Sequence, residues 1–158
     1  MRRRMSAPTV TRLAESDWRV FATLRLRALD DTLGTHDQQY RQEVVFTAAQ
    51  WRRRLRAHAQ FAVRLDDHLV GLIGAQRQSV DSVYLYSLWL EPGMRGRGLG
   101  HQLVTAAIDW ARTQRVRFVT LRVDAANAAA RGVYEELGFG VVDASAPSQE
   151  LTMSLNVG

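Results

Sequence analysis

Apolar residues along the chain follow two rhythms, and the change from one to the other marks the elements. Phe61, Val63 and Leu65 recur at every second position, the spacing of a half-buried strand. The turn Asp66-Asp67-His68 and the apolar residues 69–76 complete a hairpin. In residues 83–90, Val83, Leu85, Ser87 and Trp89 fall on one face and Tyr84, Tyr86, Leu88 and Leu90 on the other. Both faces are largely apolar, which predicts a central strand covered on both sides. Residues 118–123 read as a second buried strand. Residues 9–13, 141–142 and 150–155 read as shorter ones, with Pro147-Ser148 turning the chain before the last.

Helical spacing governs the rest. Trp18, Phe21, Ala22, Ala28 and Leu29 give a first helix a partly apolar face, and Arg25, one turn past Phe21, borders a core or a pocket. Thr47-Ala-Ala-Gln50 has capping-box spacing and opens a second helix that buries Trp51 and Leu55. Leu99, Leu103, Ala106, Ala107 and Trp110 stripe a third helix, and residues 127–137 form a fourth. Residues 30–46 are polar and irregular, either a plain connection or a substrate loop, and the length adds weight to the second. The order is mixed α/β in a single domain over residues 1–158, with residues 1–6 expected to be disordered.

Composition narrows the chemistry. The chain has 158 residues, no cysteine and a formal charge of +5, of which Arg2, Arg3 and Arg4 supply three. Without cysteine there is no disulfide, thiolate metal site or thiol nucleophile. All 21 basic residues are arginine, so no lysine amine is available for Schiff-base chemistry. No apolar run is long enough to span a bilayer, and no apolar stretch follows Met1–Met5 as a secretory signal requires. A cytoplasmic protein is expected, without metal, nucleic acid or membrane. Arg52, Arg53, Arg54 and Arg56 read as the solvated face of their helix.

Two segments carry chemistry. After the central strand, Glu91-Pro92-Gly93-Met94 leads into Arg95-Gly96-Arg97-Gly98-Leu99-Gly100, with His101 opening a helix. Glycines here bring backbone N–H groups close to an anion, and the helix points its positive end at the same place. Arg95 and Arg97 add forked charged donors. The segment is not a Walker loop, because no Gly-Lys-Ser/Thr follows. In the second segment, Asn127 is an N-cap candidate, and Asn127, Ala130 and Tyr134 line one helix face. Gly138 ends that helix, and Phe139 packs back on its last turn.

Arg95-Gly-Arg-Gly-Leu-Gly100, after a strand ending Leu88-Trp89-Leu90 and before Asn127-x-x-Ala130-x-x-x-Tyr134-x-x-x-Gly138-Phe139, resembles the GNAT superfamily of N-acetyltransferases. The matching core runs over residues 83–139. The resemblance implies a GNAT-like α/β fold: a central mixed, mostly antiparallel twisted sheet of about six to seven strands flanked by about four helices. It implies acetyl-CoA as co-substrate, its diphosphate held by residues 95–100 and the next helix N-terminus. Leu88, Trp89 and Leu90 would pair their backbone with the pantetheine arm, and an N–H there would face the thioester oxygen, where charge builds during attack. Asn127 would bond the pantetheine or nearby backbone, and Tyr134 would protonate the leaving thiolate.

The expected function is transfer of an acetyl group to a primary amine, on a small molecule or a protein, by direct attack in a ternary complex. Glu43, Asp37, Glu91 and Tyr86 are candidates for the base only by region, and none is assigned. The alternative is a non-catalytic acyl-CoA sensor of the same fold. A monomer or homodimer is expected. Residues 30–46, which would shape the acceptor pocket, carry no recognisable motif.

Overall fold

The computed structural model describes residues 7–144 and 149–158. The basic N-terminal stretch and the turn expected at Pro147-Ser148 lie outside the described residues. Seven strands form one sheet: β1 (Thr9–Arg12), β2 (Ala59–Leu65), β3 (His68–Arg77), β4 (Ser82–Leu90), β5 (Phe118–Asp124), β6 (Gly140–Asp143) and β7 (Glu150–Asn156). Their order in the sheet is β1-β2-β3-β4-β5-β7-β6. Neighbours run antiparallel except β4 and β5, which are parallel. That exception follows from the helix between them, since parallel neighbours need a long crossover.

Five α-helices flank the sheet among the described residues: α1 (Trp18–Leu33), α2 (Gln38–Glu43), α3 (Ala48–Ala57), α4 (Leu99–Thr113) and α5 (Ala128–Glu136). The two faces bury separate cores. On one, Leu99, Leu103, Val104, Ala107, Ile108 and Ala111 of α4 pack on inward residues of β2–β5, with Tyr134 and Phe139. On the other, Phe21 and Leu24 of α1 and Trp51 and Leu55 of α3 pack on Ala62, Leu69, Leu72 and Trp89. Leu103 is fully buried; trimming such a leucine to alanine costs roughly 2–5 kcal/mol. The predicted stripe on α4 holds, with Ala106 and Trp110 at its margin.

The fold departs from the sequence expectation in two places. First, residues 30–46 are not irregular throughout. The first helix runs past Leu29 to Leu33, where Gly34 turns out at φ +86°. Then α2 forms, capped by Asp37, whose carboxylate accepts from the Gln39 N–H at 2.7 Å. Its sequence, QQYRQE, has no apolar rhythm to reveal it; what anchors it is an ion pair from Glu43 to α1.

Second, the four residues assigned to one face of β4 do not share it. Tyr86 stands opposite Gly74 and Trp89 opposite Leu72, so Ser87 and Leu88 together face Ile73. This is a β-bulge, and Ser87 takes the left-handed φ of +58°. One extra residue reverses the alternation beyond it. Val83 and Leu85 therefore enter the α4 core, whereas Trp89 enters the α1/α3 core.

Candidate active site

The sheet opens in its middle. β4 and β5 pair from Ser82↔Phe118 to Leu85↔Leu121 and no further. Beyond that point β4 stays on β3 as far as Leu90, and β5 stays on β7 as far as Asp124. The β5-facing edge of residues 86–90 is thus left without a strand partner inside the sheet. A hollow of about 500 Å³ lies there, between the end of β4, the glycine loop, and α5.

The loop is shaped by backbone chemistry. After a 3-10 turn at Pro92–Met94, Gly96 and Gly98 both take φ +78°, a region that side chains avoid. Gly98 caps α4, and the Gln102 N–H bonds its carbonyl at 3.2 Å. The N–H groups of Leu99, Gly100 and His101 have no backbone acceptor among the described residues. They are the free donors of a helix N-terminus, aimed where an anion gains most. Gly100 has ordinary φ; a Cβ there would only touch Val133 and Leu90 at 3.8 and 4.0 Å.

The predicted binding residues gather around this hollow. Leu88, Trp89 and Leu90 border it from β4, and Arg95, Gly96, Gly98, Leu99, Gly100 and His101 from the loop and α4. Asn127 and Ala130 border it from α5. Two of the expected set do not. Arg97 is exposed in the same loop but lines no part of the hollow. Tyr134 is 6% exposed and is not among the residues lining the hollow, whereas its neighbour Val133 is. Thr32 of α1 and Ala129 complete the wall, and the sequence did not single them out.

Four of the lining side chains are already engaged. The Asn127 oxygen accepts from the Ala130 N–H at 3.1 Å, an N-cap. Arg95 donates to the Leu90 carbonyl at 3.1 Å and to Asp31 at 3.1 Å. Asp31 also accepts from Trp89 Nε1 at 2.8 Å, and that bond, with Arg95 behind it, holds the carboxyl below the usual range against the smaller effect of burial. His101 pairs with Glu136 across α4 and α5.

Tyr134 sits edge-on to Phe139, ring centroids 5.8 Å apart. The Phe139 N–H bonds the Tyr134 carbonyl at 3.0 Å, which closes α5 as the sequence suggested. The Tyr134 hydroxyl has no hydrogen-bond partner among the described residues, yet it is not sealed from solvent. Burial, with Tyr84 acting electrostatically in the same direction, pushes its pKa up to about 12.

The regional base candidates are occupied. Glu43 is 2% exposed and forked on Arg25. Burial pushes its carboxyl up, but Arg25, Gln39 and Arg54 together bring it below the usual value. Asp37 caps α2, and Glu91 pairs with Arg27. The Tyr86 hydroxyl accepts from Gln60 Nε2 at 2.6 Å and contacts His58 Nδ1 at 2.5 Å. Burial, then Arg54, lowers the His58 pKa. His58 was not anticipated; it lies 28 positions from Tyr86, and only the sheet brings them together. Gly74 makes room for this phenol, since a Cβ there would fall 2.3 Å from the Tyr86 ring.

A second hollow of similar size lies between α1 and the β2–β3 turn. Its charges include the paired Arg27 and Glu91. Among the described residues, no cluster of His, Asp and Glu has the arrangement of a metal site. No helix there is long and apolar enough to cross a membrane.

The Acetyltransferase (GNAT) family model matches residues 15–139, most of the chain. The chain belongs to the GNAT family of acetyltransferases. Among curated GNAT relatives, a mycothiol acetyltransferase from Beutenbergia cavernae is 46% identical over 55 residues, 35% of this chain and 18% of that protein. A ribosomal protein bS18-alanine N-acetyltransferase from Salmonella typhimurium is 40% identical over 60 residues, 38% of this chain and 40% of the other. The chain thus spans well under half the length of either relative. GNAT folds superpose over nearly the whole chain. An acetyltransferase of the family from Streptococcus pneumoniae has TM-score 0.77 at 18% identity, covering 96% of this chain and 100% of that one. The PaiA N-acetyltransferase from Thermoplasma acidophilum, in complex with coenzyme A, has TM-score 0.75 at 16% identity, covering 96% and 99%. At these identities the likeness is one of fold.

Proposed function

We propose that the protein is an acetyl-CoA-dependent N-acetyltransferase that acylates a primary amine directly, in a ternary complex. The observation that carries this reading is the parted β4–β5 pair with a free helix N-terminus at its mouth. The residues present fit the donor. The N–H groups of Leu99, Gly100 and His101 supply donors for a diphosphate, and Arg95 lies beside them for charge. The unpaired edge of residues 88–90 suits the amide-bearing pantetheine arm as an added strand. The relatives' acetyltransferase names and the coenzyme A held by the Thermoplasma neighbour support the same choice.

When bound, acetyl-CoA supplies an acetyl group activated as a thioester, which an uncharged amine attacks with release of the CoA thiol. The chain's own part is positional and electrostatic. A backbone N–H near Leu88 faces the oxygen where charge builds, a placement that helps because the donor is fixed before the charge appears. Tyr134 donates its O–H toward the leaving sulfur. At a pKa of about 12 the phenol is protonated throughout the neutral range. Complete proton transfer to a thiolate of ordinary pKa about 8.5 is uphill by about 5 kcal/mol. Hydrogen-bond donation as the C–S bond stretches is therefore the larger part of its role, with water delivering the final proton. With neither lysine nor cysteine in the sequence, no acetyl-enzyme on a side-chain amine or thiol intervenes.

The acceptor is a primary amine of a small molecule or a peptide. The test is CoA-thiol release across a panel of amino acids, polyamines, aminoglycosides and peptide N-termini, beside calorimetric binding of acetyl-CoA. Amine-dependent release with acetylated product supports the proposal. Binding without release from any amine favours the sensor, and no binding removes both.

A further inference from the structure

The bulge in β4 adjoins the residues that border the hollow, and Ser87 within it has a strained backbone. Three described residues other than glycine have positive φ: Asp66, Ser87 and Arg115. Asp66 lies in the β2–β3 turn and Arg115 just past the end of α4, where such values are ordinary. Ser87 alone lies within a strand. Serine has little intrinsic preference for that region, so its surroundings must hold it there.

One side chain does so. Arg25 Nη1 donates to Ser87 Oγ at 2.6 Å. The rest of the guanidinium cannot swing, because Nε and Nη2 fork onto the two oxygens of Glu43, each at 3.1 Å. Glu43 is fixed in turn by Gln39 Nε2 at 3.0 Å, with Arg54 at 3.6 Å. Arg25 is 3% exposed and borders neither large hollow. A planar fork seated on a carboxylate has one remaining direction for its third nitrogen, and here that direction ends on the bulge. Neutralising the buried arginine required only Glu43; the bond to Ser87 reaches 62 positions along the chain.

We propose that Arg25 is a positioning residue for acyl transfer. Through Ser87 it holds the bulge, and with it the Leu88 N–H, in the shape that meets the thioester oxygen. This rests on the acetyltransferase reading above. The Arg25–Glu43 pair joins α1 and α2 to the strand bordering the hollow, so the donor site is braced by a segment that includes part of residues 30–46.

The test uses the full chain and two substitutions that leave the ion pair whole. Ser87→Ala removes the acceptor of Nη1 at a φ that alanine also resists. Ser87→Asn restores an acceptor oxygen in a residue that tolerates the left-handed region. Thermal midpoint, acetyl-CoA affinity by calorimetry, and kcat with an amine accepted by the wild type are measured for each. A misplacement of the N–H predicts kcat lower by about ten- to a hundredfold in Ser87→Ala, with acetyl-CoA affinity within about threefold. Ser87→Asn then recovers most of the rate. An unchanged kcat in Ser87→Ala overturns the proposal, as do two variants that are equally slow. A wild-type chain that binds no acetyl-CoA, or acetylates no amine, removes the parent reading and this one with it. Arg25→Gln is the direct variant, but it unpairs the buried Glu43, so the Ser87 pair carries the test.

Discussion

Replacing Tyr134 by phenylalanine separates chemistry from folding unusually well in this protein. The ring is buried and its edge contact with Phe139 survives the change. The hydroxyl has no hydrogen-bond partner among the described residues, so its removal leaves no orphaned group behind. Stability should therefore stay within about 0.5 kcal/mol of wild type, or rise. For a chain of this size that is a shift of about 1–2 °C in Tm. Catalysis should respond very differently. Loss of one preorganised donor to developing charge costs about 2.7–4 kcal/mol, a fall in kcat of about 10²–10³. In the proposed donor site acetyl-CoA rests on the glycine loop and β4, so its calorimetric Kd should move less than about threefold. The assay is initial-rate CoA-thiol release with saturating acetyl-CoA and an accepted amine. A kcat within threefold of wild type would refute the role given to the phenol. A Tm lowered by 5 °C or more would show the hydroxyl to be structural.

Three further outcomes are expected. Gly98→Ala forces a Cβ into φ +78°, a strain of roughly 1–2 kcal/mol, so acetyl-CoA affinity should fall about tenfold; equal calorimetric Kd and Tm would show that the loop's shape is immaterial. Asp31→Asn frees Arg95 from its carboxylate partner and should tighten acetyl-CoA binding about two- to fivefold at low salt, the gain shrinking in 0.5 M salt; weaker binding would contradict the competition. Glu43→Gln strips a buried arginine of its counter-charge and should cost about 3 kcal/mol at pH 7, or about 6–12 °C in Tm. Because the folded carboxyl lies below its ordinary 4.5, the wild type's advantage is full above that value and is lost as pH falls through the folded one. A Tm gap between the two proteins that stays constant from pH 7 to pH 3 would contradict this.

What the sequence disclosed was what local rules encode. The α4 stripe, the Thr47–Gln50 capping box and the Asn127 cap each need only a few neighbouring residues. The glycines at 96 and 98 announced a tightly turned loop because backbone freedom is a property of the residue itself. What stayed hidden depends on pairing across the chain. Alternation in β4 presupposes an unbroken period of two, and nothing in VYLYSLWL marks Ser87 as the place where it breaks. The side chain that bonds Ser87 there, Arg25, lies 62 positions away in sequence. Helix α2 was missed for the same reason: six polar residues with a cap signal have no periodicity, and Glu43 is buried only because α1 offers it a cation. On α5 the lining includes Val133 and not Tyr134, a difference that a three-to-four-residue spacing does not resolve.

The central claim is that the parted sheet and the N-terminus of α4 form a donor site. A crystal structure of the chain grown with acetyl-CoA tests it most directly. The account predicts diphosphate oxygens within about 3.2 Å of the N–H groups of Leu99, Gly100 and His101, with the pantetheine arm along residues 88–90. Acetyl-CoA found in the hollow between α1 and the β2–β3 turn, or on no ordered site at millimolar concentration, would contradict it.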